Sequence, residues 1–177
     1  MRKSILPLIL LLLLCGCVAT GFDSYYSRLN DLYKKYQLNG AVAPIEMTAL
    51  QRYEQDLKAF KKELEQKNDR DAKAMKLLID IKLNLAEVQK NLAYARQQLR
   101  VYSEFVSCGA EMKAAHSAVK DALSNIETAS SKYKLFEDSF PEAAKKVKAN
   151  EGDLGRLIKD QLGVLEKVDQ QLKEICG

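Results

Sequence analysis

From Ile45 to Cys108 the chain contains neither proline nor glycine, and its apolar residues fall alternately three and four positions apart. Leu50, Tyr53, Leu57, Phe60 and Leu64 open the series. Ala74, Leu78, Ile81, Leu85, Val88, Leu92, Ala95, Leu99, Tyr102 and Val106 continue it in the same frame, with Leu50 at position a. Such a repeat is the seam of a coiled coil, because a helix returns side chains at this spacing to one face. Only Lys67 and Asp71 interrupt it. The fold class this predicts is all-α: an elongated helical bundle with long antiparallel coiled-coil-like helices.

The interruption, Lys67-Asn68-Asp69-Arg70-Asp71, admits two readings. Asn68 and Asp69 are good capping residues, so two helices can meet there in a hairpin. Yet a new helix has no need to resume the old heptad phase, and this one does. The expectation is therefore one continuous helix over residues 46–107, about 93 Å long at 1.5 Å per residue.

Beyond it the frame slips by one position at Ser107-Cys108-Gly109. Met112, Ala115, Val119, Ala122, Ile126, Ala129, Tyr133, Phe136 and Phe140 form the new stripe. Glycine commonly follows a helix end, so a turn is expected here, with an antiparallel helix after it. The small Ala115, Ala122 and Ala129 at successive d positions would let a neighbour approach closely. Ser139-Phe140-Pro141-Glu142 has the spacing of a capping box with an early proline, which ends one helix and starts a short one. Asn150-Glu151-Gly152 stops that helix. A last amphipathic helix from about Asp153 to Ile175 carries Leu154, Ile158, Leu162, Leu165, Val168, Leu172 and Ile175 on one face.

Upstream, Phe22, Tyr25, Leu29, Leu32 and Tyr36 mark a short amphipathic helix ended by Asn39-Gly40, with Ala41 to Pro44 as a link. Tyr25, Tyr26, Tyr33 and Tyr36 are half of the eight tyrosines. They are a possible interface, either with lipid headgroups or as anchors for a partner. The competing reading, which is preferred, is packing of this helix on the bundle, with Tyr25 and Tyr36 in the apolar stripe and Tyr26 and Tyr33 outside it.

The chain opens with Arg2 and Lys3, an apolar run from Ile5 to Leu14, and then Leu14-Cys15-Gly16-Cys17. A charged start, a short apolar core and a small residue before a cut site are the parts of an export signal. The last four residues resemble the lipobox of prokaryotic membrane lipoprotein precursors. The resemblance covers the signal alone and implies cleavage after Gly16, leaving a lipidated Cys17 with fatty acyl chains such as palmitate. Together with the helix pattern, it divides the chain into a signal peptide at 1–16, a lipidated N-terminus with the aromatic helix and linker at 17–44, and a helical bundle at 45–177. It also implies a membrane-anchored protein on the extracytoplasmic side, at the outer membrane if the host has one. An uncleaved anchor fits less well. Fifteen residues from Ile5 to Ala19 would span about 22 Å of a roughly 30 Å hydrocarbon core, with Pro7 inside.

Removing Arg2 and Lys3 with the signal takes Lys and Arg from 28 to 26 against 24 Asp and Glu, a net charge of +2. Charges of both signs are interspersed, so no nucleic-acid-binding stripe is expected. Lys34-Lys35, Lys61-Lys62 and Lys145-Lys146 each have acidic neighbours and read as solvated faces rather than lipid or polymer sites. With Cys15 lost and Cys17 acylated, Cys108 and Cys176 remain. An exported chain favours a disulfide between them, the alternative being two separate thiols. Helix lengths agree, since about 43 Å down from Ala110 to Asp138 and about 36 Å back from Asp153 to Cys176 leave a difference that the short segment between them can cover.

His116 is the one histidine and has no second imidazole or ligand spacing for a metal, so it reads as a surface or boundary residue. No catalytic arrangement, nucleotide-binding glycine pattern or haem attachment is found, and neither an enzyme nor a cofactor is expected. The functional expectation is a lipid-anchored protein acting through contacts in the cell envelope, with an unknown envelope protein or by self-association. The alternative is a bundle that binds an apolar ligand or lipid between its helices.

Overall fold

The fold is taken from a computed structural model that describes residues 21–36, 47–102 and 108–176. The expected signal at 1–16, Cys17, the stop at Asn39-Gly40, the link Ala41 to Pro44 and Val106 lie outside the described residues. Among the described residues six helices follow one another: α1 (Gly21–Lys35), α2 (Met47–Glu65), α3 (Arg70–Tyr102), α4 (Ala110–Ser139), α5 (Pro141–Glu151) and α6 (Leu154–Cys176). The described chain is an all-α, elongated antiparallel bundle.

The continuous helix expected over 46–107 is not formed. α2 ends at Glu65 and α3 starts at Arg70, with Asp69 as the cap: its Oδ1 accepts from the Ala72 N–H at 2.7 Å. The physical reason is burial. A straight rod would leave both seams facing water, whereas folding back lets α2 pack on α3 and buries Leu50, Tyr53, Leu57, Phe60 and Leu64 within one chain. Each helix turns freely about its own axis after the break, so the retained phase carried no information about continuity.

α3 is the centre of the molecule and packs on α1, α2, α4 and α6. Its seam residues Ala74, Leu78, Ile81, Leu85 and Val88 are buried. So is a second stripe one position along, Ala72, Met75, Ile79, Lys82 and Ala86. α3 and α4 form the most extensive pair in the bundle, antiparallel, with Lys132 reaching Asp80 at 3.7 Å and Arg70 Nη2 donating to the Ser139 carbonyl at 3.3 Å. The expected α4 stripe is buried from Met112 to Phe136, and its three alanines Ala115, Ala122 and Ala129 have no solvent exposure.

At the α4–α5 junction Pro141 occupies the first turn as expected, but no capping box forms. Phe140 is the cap residue and contributes no side-chain hydrogen bond. Gly152, at φ 82°, ends α5 in a conformation that side chains disfavour. Asp153 then caps α6, its Oδ1 accepting from Arg156 N–H at 3.1 Å. α6 climbs back along α4. A Cβ on Gly155 would lie 2.8 Å from Tyr133 Cε1, so glycine is what lets α6 start this close to α4.

The alanine-lined α4 face generates a test. Ala122→Leu is expected to overpack it and cost about 1–3 kcal/mol, read as a lower urea midpoint with unchanged helicity.

Candidate functional site

Three features of the bundle have chemistry beyond simple packing: the berth of α1, the disulfide end, and a groove between α4 and α6. In α1, residues Phe22, Tyr26 and Leu29 point into the core, while Tyr25, Leu32 and Tyr33, and Tyr36 just past its end, pack partly exposed against it. Tyr26 is the correction here. The expected stripe left it outside, yet it is only 3% exposed. α1 contacts both α2 and α3 rather than a single surface, so a helix with one expected apolar face buries two.

Each tyrosine has a structural partner. Tyr26 donates to Glu151 Oε1 at 2.9 Å, Tyr36 donates to Asp56 Oδ2 at 2.7 Å, and Lys67 donates to the Tyr25 hydroxyl at 3.0 Å. Tyr33 and Tyr36 meet the Tyr53 ring edge-on, at 6.3 and 6.1 Å between centroids. Packing on the bundle, the reading preferred from sequence, describes all four. Ion pairs rim the berth: Arg28 grips Glu63 through both guanidinium nitrogens, Lys35 pairs with Asp56 at 2.9 Å, and Asp23 pairs with Lys146 of α5. The Arg28 guanidinium beside Glu63 holds that carboxyl below its ordinary range, and Lys35 with Tyr36 does the same for Asp56.

At the bottom of the berth Lys82 pairs with Glu151, linking α3 to the last residue of α5. A largely buried ammonium needs such a counterion, because desolvating it alone costs several kcal/mol. Tyr53 lies near the same carboxylate, and its hydroxyl makes no hydrogen bond among the described residues. Burial, then Glu151, push the Tyr53 and Tyr26 hydroxyls well above the usual phenol range, so both stay protonated. Lys82 was the residue that sequence reasoning missed. It stands at the three-and-four spacing of the second α3 stripe, but a lysine at such a position reads by default as solvent-facing.

At the opposite end Cys108 and Cys176 are joined, with sulfurs 2.07 Å apart and Cα atoms 4.8 Å apart. This bond ties the chain two residues ahead of α4 to the last residue of α6. Two turns further along α4, His116 is a boundary residue as expected, with Nε2 3.0 Å from Asp169 Oδ1 on α6. Asp169 also holds Lys173 at 2.5 Å. Lys173 first, and His116 after it, keep the Asp169 carboxyl below its ordinary value despite partial burial.

The groove between α4 and α6 has a volume of about 430 Å³. Ile126, Ile158 and Leu162 form its apolar wall, and Glu127, Ser130 and Lys159 supply polar groups. Among the described residues no group of three or more His, Cys, Asp and Glu is arranged to hold a metal ion. No helix among them is long and apolar enough to cross a membrane. No protein-family model matches this chain, and neither a curated protein nor a solved structure matches it significantly.

Two outcomes follow from the disulfide end. Replacing Cys108 or Cys176 by Ser opens a loop with a sequence separation of 68, and is expected to cost about 4 kcal/mol in denaturant melts; the native chain should weigh two hydrogens less than its dithiol form. For Asp169, the native state lowers the pKa, so its stabilisation is complete above about pH 4 and is lost as pH falls through the folded value. Asp169→Asn should therefore be less stable than wild type at neutral pH, with the gap closing as the two are titrated into acid.

Proposed function

We propose that this is a lipid-anchored protein of the cell envelope that works by contact with other proteins, as a scaffold, adaptor or spacer. The supporting observation is a pairing of address and body. Leu14-Cys15-Gly16-Cys17, which resembles a lipobox, precedes an elongated bundle whose α3 alone is about 50 Å long and one of whose ends is locked by Cys108–Cys176. Two acyl chains give durable attachment, and a braced helical body at that attachment suits reach and docking rather than chemistry. The partner is an unknown envelope protein or a second copy.

The groove beside Ile126 and Leu162 favours a second reading, an apolar ligand or lipid carried between helices, because its volume falls in the range of small-molecule sites. One set of measurements separates the readings. Crosslinking in intact cells should give a discrete heavier adduct with the native chain, while Cys17→Ser should leave the membrane fraction and lose that adduct. A chain found only as an uncrosslinked species, with a lipid mass retained in native mass spectrometry, would replace the contact reading with the ligand reading.

A further inference from the structure

We infer that the bundle meets the membrane through one particular end, its base, formed by the 66–69 turn, the α4–α5 junction and the start of α1, so that the disulfide end projects away. This rests on the lipid-anchor reading and adds which surface the lipid touches.

A Cβ on Gly21 would lie 2.9 Å from Asp71 Oδ2, so α1 starts level with the start of α3. Its first turn is held in that place by burial of Phe22 and by the Asp23–Lys146 ion pair to α5. Cys17 precedes Gly21 by four residues, a length of chain that spans at most about 14 Å when extended. A lipid on Cys17 therefore keeps the base within that distance of the bilayer. The long helices then carry Cys108 and Cys176 away from it, α3 and α4 rising about 50 and 45 Å from this end.

The base has the chemistry of a surface that rests among headgroups without gripping them. Exposed Lys67, Arg70 and Lys73 can meet lipid phosphates, and the neighbouring Glu65 and Asp69 cancel most of their pull. Contact thus depends on the tether. Leu135, one turn above the end of α4, is 54% exposed, the most exposed large apolar side chain among the described residues. It stands about 6 Å above Ser139, within reach of a headgroup layer of similar thickness. Tyr94 of α3, 37% exposed, stands about 36 Å above Arg70 and out of that reach.

These two exposed positions supply the test, since neither is in the core. The full lipidated chain, with p-benzoylphenylalanine in place of Leu135 or of Tyr94, is reconstituted into phosphatidylethanolamine and phosphatidylglycerol vesicles and irradiated. Leu135→p-benzoylphenylalanine should give lipid adducts by mass spectrometry, about tenfold more than Tyr94→p-benzoylphenylalanine given their heights. Equal yields would mean that the bundle lies along the membrane, and would overturn the proposal. So would the absence of adducts at both sites in a chain that still floats with the vesicles. If the chain with intact Cys17 floats no better than Cys17→Ser, the anchor itself is wrong and the orientation falls with it.

Discussion

The rest of the bundle depends on α3 being buried on two adjoining faces. One stripe, from Ala74 to Val88, and a second, from Ala72 to Ala86, together leave the lower half of this helix little contact with water. A helix apolar over so wide an arc has to be surrounded. α2 folds back over it, α4 runs down its length, and α1 docks on it beside α2. The seam that seemed to describe a rod is the inner surface of a small core.

That enclosure sets the polar chemistry as well. Lys82 occupies a position in the second stripe where its ammonium has little solvent, and Glu151 supplies its counterion from the end of α5. The same carboxylate accepts the Tyr26 hydroxyl, so one anion joins α1, α3 and α5. Asp80 does similar work on the other side, pairing with Lys61 of α2 and Lys132 of α4. Lysine clusters that read as solvated faces are thus partly fasteners between helices. The distal end is held covalently instead. There the Cys108–Cys176 bond ties α6 to the start of α4 and limits fraying of its last turn.

Much of this was legible in the linear chain. The α4 stripe, its small alanines, the start of α4 just after Gly109, the proline start of α5 and the Cys108–Cys176 pairing all follow from spacing, breakers and cysteine arithmetic. The break at residues 66–69 was marked by Asn68 and Asp69 but outweighed by a heptad phase that proved uninformative. Tyr26 and Lys82 were not legible as core residues. A single-face reading of α1 assigns Tyr26 outward, and a lysine in a helix is by default placed in solvent.

The sequence by itself determined that these segments are helices, where most of them end, and which side chains form the primary seam, because backbone sterics and a period near 3.6 are local properties of the chain. Tertiary structure alone decided that residues 47–102 fold back at Asp69, that α3 buries a second stripe, and that Lys82, Glu151 and Tyr26 converge. Those outcomes depend on how many neighbours a helix acquires, and periodicity records the direction of one apolar face without recording how many partners surround it.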